Sequence, residues 1–190
     1  MNRQSNLIEQ NTPIKVGMFN LQDGRTVGQL EAENRTKVRS VIACVDETRN
    51  VAIGLCPVRI MLPFSFSCLM VNTAGIESGR EATRILLEEA AKCHIELPAA
   101  EFCFNFARNG VEKGEAFLPS KHELQKVSLQ GELKKAWHQL GMWNGERTFW
   151  SSSVGDGFNV WMRSFGQATT SGWKIQYRTF GVVPVVEIPF

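Results

Sequence analysis

Phe117-Leu118-Pro119-Ser120-Lys121-His122-Glu123-Leu124 is followed, after twenty-four intervening residues, by Phe149-Trp150-Ser151-Ser152. The first run opens a helix and the second opens a strand. Ser120 and Glu123 have the S-x-x-E spacing of a capping box. The Ser120 hydroxyl is expected to accept from the N–H of Glu123, while the Glu123 carboxylate returns to the N–H of Ser120. A short helix follows, then a second from about Leu129 to Leu140 that Gly141 stops. Phe149-Trp150-Ser151-Ser152 sits in a β-forming run, and strands continue to the C-terminus. The two runs therefore mark where helices give way to strands.

Working outward, the pattern upstream is strands first. Lys15 to Phe19 precedes Gln22-Asp23-Gly24, and Asp-Gly is a strong turn signal. Lys37 to Val45 and Val51 to Ile60 read as a hairpin around the polar Asp46 to Asn50. Leu62 to Val71 is apolar, but Pro63 argues against a central strand there. Ser78-Gly79 opens a helix over Arg80 to Cys93, with Ile85, Leu86, Ala90 and Cys93 at helical spacing. Pro98 suits the first turn of another helix, Pro98 to Phe106, before Asn109-Gly110.

Downstream, Thr148 to Ser152, Phe158 to Phe165, Trp173 to Tyr177 and Val182 to Ile188 read as strands. Strands, then helices, then strands indicate an α+β fold with the helices grouped mid-chain and the strands antiparallel. No repeat or linker interrupts the pattern. The expected organisation is a polar tail over 1–14 and one domain over 15–190.

The chain has 190 residues, 43% hydrophobic and 21% charged, with 21 basic and 19 acidic side chains. Folding a chain of this size hides about 70% of its extended surface, enough for a proper core. A net charge of +2 gives no electrostatic reason to expect nucleic acid or an anionic membrane as partner. No run is long and apolar enough for a membrane span, and the first residues do not read as a signal peptide. Cys44, Cys56, Cys68, Cys93 and Cys103 are scattered, without C-x-x-C spacing or a nearby His, so no metal site or cofactor is expected. They read as small buried hydrophobes, with a Cys44–Cys56 disulfide open because their two runs pair.

His94, His122 and His138 lie in no nucleophile motif, and Ser151-Ser152-Ser153 lacks the G-x-S-x-G elbow. Gly155-Asp156-Gly157 is too short to cradle phosphate. No dedicated active site is visible, so the chain reads as a non-enzyme. All five Trp and the single Tyr fall in the last third. Such side chains dominate binding hot spots.

The ordered motifs resemble the Lcl C-terminal domain type of bacterial and phage modules, which has a C-type lectin-like fold. The matching pieces are Val16-Gly17 with Asp23-Gly24, Gly79 with Thr83, and Ala99-Ala100 with Cys103. Then come Phe117 to Ser120 with Glu123-Leu124, Phe149 to Ser152 with Trp161, and Val183-Pro184-Val185. Two positions depart from that family: Ala116-Phe117 stands for its Trp-Tyr, and Val183 for its Arg. The resemblance implies a non-catalytic recognition module of cell surfaces or virions, binding a protein or a glycan. Calcium-dependent sugar binding is disfavoured, because only Trp143-Asn144-Gly145 echoes the required motifs. The formylglycine-generating branch is excluded, because its paired C-terminal cysteines have no counterpart after Cys103. The alternatives are a structural subunit of a pilus or phage tail and, less favoured, a hydrolase whose groups meet only in the fold.

Alternation places the binding face. Phe158, Val160, Met162 and Ser164 share one side of their strand; Asn159, Trp161, Arg163 and Phe165 share the other. The second, mixed set is expected to face solvent. With the adjoining loops it nominates Asp156, Asn159, Arg163, Trp173, Gln176 and Arg178 as the binding surface. Leu62 to Ser78 is the next place to look. Pro119, Ser120, Glu123, Trp150, Ser151 and Ser152 are expected to be structural.

Overall fold

The computed structural model describes residues 13–127, 131–142, 148–155, 159–165 and 169–190. The Asp-Gly turn joins β1 (Phe19–Leu21) to β2 (Thr26–Val27), with Gly24 at φ 86°. The predicted hairpin is β3 (Val38–Asp46) and β4 (Val51–Leu55), paired antiparallel with a shift between Ile42 and Cys44. A short edge strand, β5 (Ile60–Pro63), follows, in keeping with the proline at its end.

The helices are α1 (Gly79–Cys93), α2 (Pro98–Phe104), α3 (Lys121–Lys126) and α4 (Gly131–Gln139). Ser78 caps α1 through the Glu81 N–H, and α1 buries Ala82, Thr83, Leu86 and Ala90. Cys93 is exposed, because the helix stops there and His94 turns left-handed at φ 52°. The Ser120–Glu123 capping box is present in both directions. The C-terminal strands are β6 (Thr148–Val154), β7 (Asn159–Phe165), β8 (Thr169–Ile175), β9 (Thr179–Val182) and β10 (Val185–Pro189). The last predicted strand is therefore two, divided at Val183-Pro184, and they join different sheets.

One sheet has the order β10-β4-β3-β1-β2, the other β5-β9-β6-β7-β8. The expected α+β class holds. The ladders are antiparallel except β6 with β9, which meet in parallel at Phe149 and Gly181. A Cβ on Gly181 would come within 2.8 Å of the Phe149 ring, so glycine is what lets the two strands close. The last strand lies in the same sheet as the first but pairs with β4.

The apolar side chains sort into layers. Val41, Ile53 and Val185 of the first sheet meet Phe149, Trp161 and Phe165 of the second, with Leu133 and Trp137 of α4, in one cluster. The other side of the second sheet, with Trp150, Val160 and Met162, packs on Leu86, Ala90, Ala100 and Cys103 of α1 and α2. The other side of the first sheet, with Ile42, Ala52 and Val186, packs on Phe106, Val111 and Ala116. Helices on one side and the first sheet on the other thus bury β6 and β7 on both faces. This corrects the expectation of a solvated β7 face: Trp161 and Phe165 are core.

Cys44, Cys56 and Cys103 are buried and all five thiols are free. The Cys44–Cys56 disulfide is not formed; across the hairpin Cys44 faces Ile53. Burial pushes the Cys44 thiol up to about 11 and the Cys56 thiol up to about 12, so both stay protonated and act as small apolar groups.

Candidate functional site

The chain leaving β5 passes under the end of β8 and is held there by buried hydrogen bonds. The N–H groups of Phe64 and Ser65 donate to the Gln176 carbonyl at 3.0 and 3.3 Å. The Gln176 side chain does the rest. Its Oε1 accepts from the Leu69 N–H and its Nε2 donates to the Leu69 carbonyl, both at 3.3 Å. A side-chain amide carries one acceptor and two donors, so it can stand in for a neighbouring strand. Ser65 Oγ accepts from the Ser67 N–H at 3.1 Å, closing the turn between them. Phe64 is buried edge-on against Trp150, with ring centroids 5.9 Å apart.

This pinning turns Phe64 and Leu69 inward and leaves their neighbours outside. Phe66 is 63% exposed, Met70 75% and Tyr177 50%. Cys68 lies between them, its Sγ 2.6 Å from the Tyr177 hydroxyl. Ile60 and Met61 of β5 are exposed on the same run of chain. Full burial of one Phe or Met is worth about 1.5–3 kcal/mol. A slack loop would fold such side chains back onto the protein. Here the backbone is fixed, and the side chains stay in water.

Of the nominated residues, Arg178 lies beside this loop and is exposed, next to Tyr177. Gln176 is buried and spent on Leu69, so it shapes the loop from beneath and is no part of an exposed face. Asn159 is exposed at the start of β7. Arg163 is half-buried, its guanidinium 5.2 Å over the Phe165 ring. Burial lowers its pKa. Trp173 is placed by its backbone opposite Trp161. Its side chain, and Asp156, lie outside the described residues. Of the four whose side chains are described, Asn159 and Arg178 are exposed, Arg163 is half-buried and Gln176 is buried, so these four do not form one exposed patch. Phe66, Met70 and Tyr177 were missed. The signal for Phe66 and Met70 was the mixture of aromatic, Met and Ser residues in Leu62 to Ser78, and that for Tyr177 was its place as the single tyrosine of the chain.

A second feature is a cavity of about 320 Å³ lined by Asp46, Arg49, Glu77, His122, Glu123, Gln125 and Lys126. Burial pushes the Glu123 carboxyl up to about 7, against the opposing pull of the Ser120 and Gly79 N–H groups and Arg49. Its oxygens accept from Ser120 N at 2.9 Å and Gly79 N at 3.1 Å. Gly79 has no Cβ to block this approach; one would collide with the carboxylate. Arg49 Nη1 lies 3.7 Å from Glu123 while its Nη2 bonds Glu187, which Arg80 reaches at 3.1 Å. Bonds from Lys126 and Thr48 hold the Asp46 carboxyl down to about 2. These groups tie the α1 and α3 N-termini to the β3–β4 turn. Among the described residues, the lining holds no serine, threonine or cysteine. Among the described residues, no group of three or more His, Cys, Asp or Glu is placed to hold a metal ion.

No family model matches the chain, and no curated protein matches it in sequence. Among solved structures it is similar to a fimbrial protein from Bacteroides ovatus, with a TM-score of 0.67 and 12% identity. The match covers 90% of this chain and 48% of that one, so the chain spans about half the length of that protein. The likeness is one of fold. Among the described residues, no helix is long and apolar enough to cross a membrane.

Proposed function

We propose that this chain is a non-catalytic recognition and assembly module of a cell-surface appendage, and that it meets a protein partner through the pinned loop. The observation that carries the reading is the exposure of Phe66, Met70 and Tyr177 on backbone fixed by Gln176. Apolar groups held rigid in water lose little conformational entropy on docking and gain their full burial. Support for the surface setting comes from the fold shared with a fimbrial protein. The lectin-like, Lcl-type reading of the fold is supported by the ordered motifs, above all Leu118-Pro119-Ser120 with Glu123 and Trp150-Ser151-Ser152. The non-catalytic reading is supported by Glu123, whose oxygens are engaged by backbone N–H groups.

Photo-crosslinking groups placed at positions 66, 70 and 159 in the producing cells test the reading. Crosslinks to one protein from 66 and 70, absent from 159, are expected. Equal labelling from all three positions refutes the loop as the contact. A glycan array that binds the wild type and a Phe66→Ser/Met70→Ser variant equally would move recognition to a glycan elsewhere on the surface.

A further inference from the structure

The four sheet edges are not alike. β2 is only two residues long. β10 is bridged by Phe117, which exchanges two backbone hydrogen bonds with Val185 at 3.0 Å, and it ends in Pro189. β5 is four residues, ends in Pro63 and has α2 packed beside it. Among the described residues, β8 has none of these protections along Thr169–Ile175; the chain after β5 bonds only beyond its end, at Gln176. β8 runs seven residues, Thr169–Ile175, without a proline. It pairs with β7 one for one, with no shift in register, whereas the β1–β3, β3–β4 and β6–β7 ladders are each interrupted. Among the described residues no strand lies on its outer side. Short strands, prolines, bulges and covering segments are how proteins blunt an edge, and an unblunted edge is a template for another strand.

The strand's own sequence says which partner fits. An antiparallel copy of β8 about a twofold axis at Gly172, its middle residue, overlaps the full length. That register pairs position 171 with 173, 169 with 175, and Lys174 with Thr170. Lys174 is the single charge in the strand. A parallel in-register copy would set Lys174 against Lys174, and like charges directly opposite are destabilising. Gly172 is also without a side chain on either face of the sheet, so nothing bulky stands at the self-paired centre of that register. We propose that β8 is a self-association edge, joining two copies of this chain antiparallel about Gly172 into one continuous ten-stranded sheet. The partner is a second copy, and the contact is separate from the Phe66 loop.

Sedimentation equilibrium of the full chain over a concentration series at low salt tests this. The wild type is expected to form a dimer. Thr170→Lys sets a cation against Lys174 at both symmetry-related pairs and should weaken the dimer roughly 2- to 30-fold. Adding Lys174→Glu to Thr170→Lys makes both pairs attractive and should restore it, which also shows that the variant backbone folds. A wild type that stays monomeric overturns the proposal. So does a double variant that is folded, by thermal melting, yet no tighter than Thr170→Lys alone. A dimer abolished by Phe66→Ser/Met70→Ser but indifferent to Thr170→Lys would assign self-association to the loop and overturn the edge.

Discussion

Replacing Gln176 by alanine tests the link between the buried clamp and the exposed loop. The amide makes two hydrogen bonds, both to Leu69 and both 3.3 Å long. Leu69 itself is buried, so truncation leaves its N–H and C=O without partners away from water. Each buried orphan costs about 1–3 kcal/mol. The bonds are long, which favours the lower half of that range, so the pair is worth about 2–4 kcal/mol. For a chain of this size that is a fall of about 5–15 °C in melting temperature. The loss should be local as well as global. By hydrogen exchange the Leu69 amide should lose most of its protection while the β3–β4 amides keep theirs. Gln176→Glu is the finer probe. Its carboxylate can still accept from the Leu69 N–H but cannot donate to the carbonyl, so its stability should fall between wild type and alanine. A Gln176→Ala protein that melts within 2 °C of wild type, with Leu69 still protected, would refute the clamp. Phe66 and Met70 would then be exposed by a slack loop, and their exposure would say nothing about a partner.

Trp150 is fully buried between Phe64 and Phe180 and donates its indole N–H to the Leu62 carbonyl at 3.1 Å. Trp150→Ala should cost about 3–5 kcal/mol, read by urea denaturation. Asp46 sets the acid limb of the stability curve. Its pKa is held down to about 2 by Lys126 and Thr48, below its unfolded value. The stability it supplies is present above about pH 4 and is lost as pH falls through about 2. Lys126 is half-exposed, so solvent screening trims the effect to about 1 kcal/mol. As pH is lowered from 5 to 2, the denaturation midpoint should fall more steeply for wild type than for Asp46→Asn.

What could be read in advance was local chemistry. The capping box needs only a hydroxyl and a carboxylate three residues apart, and both of its bonds are present. The Asp-Gly turn and the β3–β4 hairpin are set by neighbours in sequence. What could not be read was the third partner in each case. Glu123 also accepts from Gly79, forty-four residues away, and Thr83 exchanges hydrogen bonds with the N–H and C=O of Leu118. No periodicity encodes such meetings. Likewise, nothing at Val183-Pro184 says that β9 goes to one sheet and β10 to the other.

The binding face shows the same limit more sharply. Alternation correctly divides β7 into Val160 and Met162 on one side and Trp161 and Phe165 on the other. It says which side chains travel together; it does not say how many sides are covered. The polar members Asn159 and Arg163 suggested solvent, yet Asn159 is exposed because it begins the strand, and Arg163 rides over the Phe165 ring. A better indicator was in the partner strand. Phe149 and Trp150 are adjacent, so they point to opposite faces of β6, and a strand with a large aromatic on each face needs a core on each face. Gln176 carries the converse lesson. A polar side chain after a strand reads as surface, but an amide can satisfy a buried backbone, and a loop without a strand beside it needs just that. Once Leu69 is granted its amide partner, the residues on either side of it are fixed outward. The exposed Phe66 and Met70 then follow from a buried glutamine 107 positions further along the chain from Leu69.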